Sequence, residues 1–456
     1  MRRIFEYTFS YSLARKYILF CFRRFYGEII IKGRENLPTD NSAIVFAPNH
    51  LNALMDALAV SSIMPPRKAV VYLARADLFA NKRIAKLMNF AKILPAFRMR
   101  DGFENLENNN KTFHYAIEAM RFGHAVCIMP EGGQGEKRKL RPLTKGIFRI
   151  AFDAQKEFSS ERNVKIIPFG IDISDLVKSN KTLIINIGKP IEVKEYMGQY
   201  KSNAPVALNE IKDELANRLS ELTRDLATSQ YYDAFETITE TYAEEYIEDD
   251  KTKEHSFEKF KLKQKASKVL IDIEKNDPQK MLELSKLSEQ YNDFLKKLRF
   301  KTSIFNQSKS EETSFVRFLS LLVTFPVFAF GFLTNALPTF LPVWIRKKLK
   351  VEYEGFYSSV HFGLGILLFP LFYIVQAILF NCLFSPNWGI LLIFILLQFF
   401  SRSFSLKWYS NLVKYIHKIR FNSLLVANIK YSSPLYKLIG LRNKILYKIN
   451  SHQMAE

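Results

Sequence analysis

A histidine and an aspartate, His50 and Asp56, stand where a strand is expected to end and a helix to begin. The apolar run 43–47 predicts a buried strand that stops at Pro48, and the Ala/Leu-rich run 53–60 predicts the helix. Histidine can act as a general base near neutral pH, and a carboxylate on its other ring nitrogen fixes the tautomer and stabilises the imidazolium. The pair therefore predicts acid–base catalysis; the alternative is a histidine that only caps or fills a loop.

The spacing of the pair constrains where each side chain lies. At about 100° per residue, neither five nor six helical steps bring two side chains onto one face of a helix. We therefore expect His50 to precede the helix, with Asp56 reaching back to it from the first turns.

The surrounding chain predicts an α/β domain, a mixed sheet flanked by helices, because short buried strands alternate with helices as far as about residue 203. Loops that carry polar or glycine residues follow several of these strands, and they are expected to meet at one edge of the sheet. These loops contain His50, Arg98 and Arg100, Glu131-Gly132-Gly133, and Pro168-Phe169-Gly170.

A base, guanidinium groups and a glycine loop suit a reaction between an alcohol and an activated acyl group, with a phosphate held nearby. Arginine binds phosphate through its planar fork, and Gly132 and Gly133 let backbone N–H groups approach a ligand closely. A basic run follows the glycines, and its first four members are equally well explained as a solvated face. The run comprises Lys137, Arg138, Lys139, Arg141 and Lys145.

Four blocks in this order resemble the phospholipid/glycerol acyltransferase family, over residues from about 30 to 200. The family's first block has four residues between histidine and aspartate, whereas this chain has five, as do members that resemble acyltransferases acting on glycerol-3-phosphate or dihydroxyacetone phosphate. The blocks are Asn49-His50 with Asp56, Leu94-Pro95-Ala96-Phe97-Arg98, Met129-Pro130-Glu131-Gly132 with Lys145-Gly146, and Ile166-Ile167-Pro168.

The resemblance implies direct transfer of a fatty acyl group from acyl-CoA or acyl carrier protein, as donor substrate, to a glycerol phosphate hydroxyl. It implies neither a covalent acyl-enzyme nor a cofactor or metal. His50 would be the base and Asp56 would orient it, while Arg98 and Arg100 would hold the acceptor's phosphate. Glu131, Gly132 and Gly133 would complete the acceptor site, and Lys145 would assist with phosphate.

The acceptor stays open between glycerol-3-phosphate and 1-acylglycerol-3-phosphate, with the spacing of the first block favouring the former. A second class of function is a non-catalytic membrane adaptor, in which the acyltransferase fold anchors a helical arm for a protein partner.

The composition favours a lipid surface over nucleic acid. The formal net charge of +21 predicts an anionic partner, and the 40 Phe and 21 Tyr are densest where the chain looks membrane-bound. No nucleic-acid-binding signature is found in the sequence. The 3 cysteines have no partner at metal-ligand spacing, which argues against a zinc site and fits a reducing compartment.

Changes in composition divide the chain into five regions. Residues 204–312 are charged and helical; within them, 207–310 is a candidate surface for a protein partner, and the acidic run 243–250 is interpreted as a solvated face. The regions are an interfacial amphipathic helix (1–28), the acyltransferase domain (29–203), a helical arm or bundle (204–312), membrane-embedded helices (313–401) and a basic amphipathic tail (402–456).

The membrane-embedded region is expected to contain one re-entrant segment and one hairpin. Residues 318–345 are apolar but interrupted by prolines. A straight helix here would be long enough to cross a bilayer, whereas a break near Gly331 would leave two halves too short to span. A cytoplasmic catalytic domain favours the second course, in which the segment re-enters. Residues 360–384 and 388–400 predict a hairpin with its turn at 385–387. Basic residues flank both ends of the hairpin, which places these ends and the catalytic domain on the cytoplasmic side.

Overall fold

The computed structural model describes residues 4–97, 107–135, 137–158, 161–247, 255–309, 314–427 and 433–453. The chain divides into two compact units. The first is Met1–Thr223 with Val351–Phe362, and the second is Arg224–Lys350 with Gly363–Glu456. The first unit extends beyond the expected domain limit of residue 203 and includes a segment expected to belong to the membrane region.

The first unit is built on a mixed sheet, which confirms the expected α/β fold. Its strand order among the described residues is β1-β7-β6-β2-β5-β3-β4, with β8 paired to β6. Neighbours are parallel except for β6 with β7 and β6 with β8, which are antiparallel. The strands are β1 (Glu28–Lys32), β2 (Ala43–Pro48), β3 (Val70–Arg75), β4 (Ile93–Ala96), β5 (Ala125–Cys127), β6 (Val164–Ile173), β7 (Thr182–Ile187) and β8 (Ile191–Glu192).

Seven helices belong to the described part of this unit. They are α1 (Phe9–Phe25), α2 (Ala53–Ile63), α3 (Lys82–Phe90), α4 (Asn108–Arg121), α5 (Gly146–Phe158), α6 (Met197–Ser202) and α7 (Ala204–Leu222). Helix α7 had been expected in the helical arm, but its apolar face, including Ile211, Leu215 and Leu219, is buried in the core of the first unit. The compact unit therefore closes after this helix.

Strand β2 occupies the middle of the sheet and carries the site. Its residue Phe46 lies opposite Ile167 of β6 on one side and Cys127 of β5 on the other. Five of the six β2 residues are buried, so burial on both faces explains the continuous apolar run.

Helix α1 does not lie free along its whole surface. Phe22 and Phe25 are buried, while Phe9 is 85% exposed. The Arg15 guanidinium donates to the carbonyl oxygens of Ser61 and Met64 at the end of α2, at 3.1 and 3.0 Å. One face of this helix thus packs on the first unit, and an apolar face remains open for an interface.

The second unit contains a helical bundle built from α8 (Tyr232–Tyr246), α9 (His255–Asn276), α10 (Pro278–Leu298), α11 (Ile304–Lys309) and α15 (Pro434–Gln453). Its core takes apolar side chains from these helices, including Leu438, Ile445 and Ile449 of α15. The end of the expected basic tail is therefore part of the bundle core.

The solvated-face interpretation of the acidic run 243–250 is wrong for two of its glutamates. Glu244 is buried and bonds to Lys259, and Glu245 pairs with Arg442 of α15. Residues 248–250 lie outside the described residues.

Three described helices are long and apolar enough to cross a membrane, by length and composition. They are α12 (Ser314–Lys348), α13 (Tyr357–Phe384) and α14 (Trp388–Ala427). Helix α12 is one helix of 35 residues with three prolines inside it, so the chain is continuous at Gly331. Helix α14 continues past residue 401, the expected limit of the membrane-embedded region, to Ala427.

Helices α12 and α14 run antiparallel. Trp408 Nε1 donates to the carbonyl oxygen of Leu321 at 3.3 Å, and Asn335 Nδ2 donates to that of Gln398 at 3.2 Å. Trp408, which lies within the expected tail (402–456), is buried in this packing.

Helices α13 and α14 also run antiparallel. The Arg402 guanidinium lies 4.6 Å from the centre of the Phe369 ring, and the rings of Phe380 and Phe394 stack at 4.2 Å. Gln398 Nε2 donates to Gln376 Oε1 at 2.9 Å, which puts Gln376 of α13 level with Asn335 of α12. Since both helices oppose α14, α12 and α13 point in the same direction.

Two consecutive parallel helices joined by a short connection require α12 to bend. Asn335 and Gln376 lie at the same level. A straight α12 would continue past that level to Lys348, and α13 would begin at Tyr357 well before it, so the two ends would lie about 48 Å apart along the axis at about 1.5 Å per residue. The nine chain steps between these ends reach about 32 Å. The rings of Phe332 and Phe340 lie 6.4 Å apart, although eight residues of straight helix rise about 12 Å. Pro338 and Pro342 supply the local cause, since an internal proline removes a backbone hydrogen bond.

Candidate active site

The site lies in the short connection between β2 and α2. Strand β2 ends at Pro48 and α2 begins at Ala53, so His50 precedes the helix and Asp56 lies in its first turn. This is the arrangement that the five-residue spacing requires.

Three donors converge on one carboxylate oxygen of the fully buried Asp56. Its Oδ2 atom lies 3.0 Å from His50 Nδ1 and accepts the backbone N–H groups of Leu51 and Asn52 at 2.8 and 2.6 Å. Its Oδ1 atom has no hydrogen-bond partner among the described residues. The carboxylate therefore fixes the loop backbone and the imidazole together.

His50 is held through its backbone as well as its ring. Its N–H donates to Glu131 Oε1 at 2.8 Å, and its carbonyl oxygen accepts Gly135 N–H at 3.2 Å. Its side chain is 16% exposed. Within the described residues, no group hydrogen-bonds to Nε2. With Nδ1–H directed at Asp56, Nε2 is the nitrogen left to accept a proton.

Asn49, which precedes His50 in the first block, orients the loop. Its Oδ1 accepts Ile171 N–H at 2.7 Å and its Nδ2 donates to the Ile171 carbonyl oxygen at 3.0 Å. The side chain continues the pairing of β2 with β6 beyond Pro48. The chain is thereby turned so that His50 leaves the sheet.

The carboxylate of Glu131 hydrogen-bonds to two groups of the chain itself. Its Oε1 accepts His50 N–H, and its Oε2 accepts Arg141 Nε–H at 3.0 Å. The side chain is 2% exposed, and burial raises the pKa of this carboxyl above its ordinary value. Both oxygens, expected to complete the acceptor site, are engaged with groups of the chain itself.

The two glycines differ in what requires them. Gly132 has φ +66°, and a Cβ there would lie 2.6 Å from Thr144 Cγ2, so both backbone and space demand glycine. At Gly133 the nearest atom to an added Cβ is Arg141 Nη1, at 3.6 Å. Lys145 is exposed and directly precedes α5.

The solvated-face interpretation of the basic run is wrong for Arg138 and Arg141. Arg138 pairs with Asp172 at 3.3 Å and donates to the Ile173 carbonyl oxygen at 2.7 Å. Arg141 pairs with Glu131, and its Nη2 atom is buried with no hydrogen-bond partner among the described residues. Its position next to Gly133 makes Arg141 a candidate anion-binding residue. In the sequence, the only sign of this role was its place in the basic run.

Arg98 and Arg100, the expected phosphate ligands, lie outside the described residues. The chain leading to them is firmly held, because Asn109 of α4 receives Phe97 N–H at 3.0 Å and donates to the Phe97 carbonyl oxygen at 2.8 Å. Across the part of the chain that the structure describes, no cluster of three or more His, Cys, Asp or Glu side chains is placed to hold a metal ion.

Comparisons with known proteins point to one family. Residues 28–172 match the model of the acyltransferase family. "Glycerol-3-phosphate O-acyltransferase 1" of Saccharomyces cerevisiae is 25% identical over 138 residues, which cover 29% of this chain and 18% of the relative. "1-acyl-sn-glycerol-3-phosphate acyltransferase LPAT1, chloroplastic" of Arabidopsis thaliana is 24% identical over 216 residues, 46% of this chain and 54% of the relative. The matches thus span about half or less of these curated relatives.

Among solved structures, the 1-acyl-sn-glycerophosphate acyltransferase PlsC from Thermotoga maritima is similar at 18% identity and a TM-score of 0.32. The match covers 47% of this chain and 85% of that one. The match of residues 28–172 to the acyltransferase family model, together with the curated relatives, confirms the expected resemblance to the phospholipid acyltransferase family.

Proposed function

We propose that this chain transfers a fatty acyl group from acyl-CoA or acyl carrier protein to a hydroxyl of glycerol-3-phosphate or 1-acylglycerol-3-phosphate at a membrane surface. The observation that carries the proposal is the contact of His50 Nδ1 with Asp56 Oδ2, 3.0 Å, with Nε2 left over. A general base needs that geometry, and an adaptor has no use for it.

In the proposed reaction, the acceptor hydroxyl donates its proton to His50 Nε2 as its oxygen attacks the thioester carbonyl carbon. The C–S bond then breaks, and the leaving thiolate takes the proton back from the imidazolium. Asp56 stabilises the imidazolium between these steps and holds the ring orientation. An ester and a free thiol are formed, and no group of the protein is acylated.

An anionic acceptor calls for cationic groups near His50. Arg141 and Lys145 supply them within the described residues, and Arg98 and Arg100 follow the held residue Phe97 in the chain. Arginine suits a phosphate because its planar fork donates two parallel hydrogen bonds. The two acceptors stay open, since the curated relatives carry names of both kinds and the block spacing favours glycerol-3-phosphate.

The membrane helices fit a product that partitions into lipid. In the proposed topology, α13 and α14 form a hairpin whose turn lies opposite the cytoplasm, while α12 enters and returns through its bend. The parallel course of α12 and α13 supports this, because two plain crossings in succession are antiparallel. Basic residues at 346–350 and at 402 and 407 favour the cytoplasm for the ends.

The test is acyl transfer in membranes that contain the chain, with labelled acyl-CoA or acyl carrier protein and each acceptor in turn. Product with one acceptor, lost in His50→Ala, supports the proposal and selects the acceptor. No product from any donor and acceptor pair would reject it and favour the adaptor, whose partner would be sought on residues 207–310.

A further inference from the structure

The segment that joins two membrane-type helices packs inside the first unit. Residues 351–362, here called the joining segment, follow α12 and include the first turns of α13. Nearly 300 residues separate this segment from the His50 motif in the chain. Its contacts are nevertheless made with that motif.

The first contact is at Gly355, which is buried against the residue after His50. Gln134 Nε2 donates both to the Leu51 carbonyl oxygen, at 3.2 Å, and to the Gly355 carbonyl oxygen, at 3.0 Å. A Cβ at Gly355 would lie 2.8 Å from the Leu51 carbonyl oxygen. The backbone of the segment therefore fits directly against the catalytic loop, with no room for a side chain.

The second contact is a buried hydrogen bond between Ser358 and Asn52, which are 2% and 1% exposed. Ser358 Oγ donates to Asn52 Oδ1 at 2.5 Å. Asn52 in turn donates its backbone N–H to Asp56 Oδ2 at 2.6 Å. A chain of three hydrogen bonds thus leads from Ser358 to the ring of His50.

Two further contacts hold the segment in place around Ser358. Ser359 Oγ accepts the backbone N–H of Leu54, in the first turn of α2, at 3.2 Å. Phe362 is buried, and its ring lies 6.5 Å from that of Phe22 and 5.8 Å from that of Phe25. The segment is thereby fixed on both α1 and α2.

We propose that the joining segment is a positioning element of the active site, with Ser358 and Gly355 as its positioning residues. Ser358 fixes the Asn52 side chain, which sets the N–H group that Asp56 accepts, and Gly355 fixes the Leu51 carbonyl. A base must be held within a fraction of an ångström to act, so loosening these contacts lowers turnover. This inference rests on the proposed acyl transfer.

The test is a double-mutant cycle on the full chain in membranes. Ser358→Ala removes only the hydroxyl, and we expect kcat to fall about 5- to 20-fold, the effect of about one lost hydrogen bond, with the KM for the acceptor unchanged within about twofold. In the Asp56→Asn background the same substitution should have little further effect, because both act through one carboxylate. Ser62→Ala is the matched control, since among the described residues Ser62 Oγ hydrogen-bonds within α2, to the Ala59 carbonyl oxygen.

Gly355→Ala provides a second variant, and Gly363→Ala its control, because a Cβ at Gly363 meets no atom within 4 Å. We expect a loss of kcat in the former and wild-type turnover in the latter. Equal losses in the Asp56 and Asp56→Asn backgrounds, or wild-type kcat in both Ser358→Ala and Gly355→Ala, would overturn the inference.

A substrate-independent measurement separates this inference from the proposed function. The rate at which diethylpyrocarbonate modifies His50, read by mass spectrometry of its peptide, should move in Ser358→Ala in the same direction as in Asp56→Asn. An unchanged rate overturns the inference. If the wild-type chain makes no product, the proposed function fails, and the modification rates still decide whether Ser358 positions His50.

Discussion

Asp56 Oδ2 and His50 Nδ1 lie 3.0 Å apart because the histidine stands outside the helix that carries the aspartate. The carboxylate also accepts the backbone N–H groups of Leu51 and Asn52. It thereby binds the loop that precedes α2 to the first turn of the helix. The five-residue spacing is therefore accommodated in the loop, and it leaves the contact intact.

Removing either partner of this contact should strongly lower the proposed acyl transfer. We expect His50→Ala to lower kcat about 10²- to 10⁴-fold, the usual contribution of a general base. Asp56→Asn should lower it about 10²-fold or more, since the imidazolium loses its counter-charge. Asp213→Asn, an exposed carboxylate on α7, is the control. Full activity in Asp56→Asn would contradict the assigned role.

Glu131→Gln should weaken the attachment of the His50 loop and the packing of Arg141. The amide can still accept His50 N–H, but Arg141 loses its counter-charge, and the expected loss in the free energy of unfolding is about 1–3 kcal/mol. Thermal unfolding in detergent measures the loss, and acyl transfer should fall with it. Glu161→Gln, on an exposed turn after α5, serves as the comparison; equal behaviour of the two variants would speak against a role for Glu131.

The packing of α12 on α14 depends on Gly331. A Cβ there would lie 2.3 Å from Ser405 Oγ and 2.8 Å from the Ser401 carbonyl oxygen. We expect Gly331→Val to destabilise this pair by about 1–3 kcal/mol, as overpacking does. Gly365→Ala, where the nearest atom is at an ordinary 3.7 Å, is the control. Thermal unfolding in detergent compares them, and equal midpoints would disprove the close approach.

The bend of α12 predicts where two turns lie. With the native cysteines replaced, Lys350→Cys and Asn387→Cys should react with a membrane-impermeant maleimide from opposite sides, with Lys350→Cys on the cytoplasmic side. Reaction of Lys350→Cys from the side opposite the cytoplasm would show that α12 crosses the membrane. Reaction of both from the cytoplasm would disprove the hairpin.

Lys92 predicts a pH dependence of stability. Burial lowers its pKa to about 8, and its Nζ donates to the carbonyl oxygens of Ile4 and Glu6 at 2.8 and 2.7 Å. Between about pH 8 and the unfolded value of about 10.4, the unfolded chain binds more protons, so this group makes stability rise with pH. The melting temperature of the wild type minus that of Lys92→Met should therefore increase with pH over that window. A difference that stays constant would contradict the lowered pKa.

The sequence by itself determined the α/β class, the order of the four motif blocks and the places of the apolar segments. These features are local, since a buried strand, a helix start or a span is written in the residues that form it. The position of His50 before α2 followed from the same kind of reasoning. The continuity of α12 through its prolines did not, because neighbouring helices restore what a proline removes.

Only the tertiary structure decided which groups surround His50. Asn49 hydrogen-bonds to the backbone of Ile171, and Arg141 to the carboxylate of Glu131. Ser358, from the joining segment, hydrogen-bonds to the side chain of Asn52. None of these contacts leaves a periodic trace, because each is a single pairing of two side chains or of a side chain with the backbone, and two of the three join residues more than 100 positions apart. In the sequence, Ser358 is one of two serines at the start of an apolar helix, and only the fold places it against Asn52.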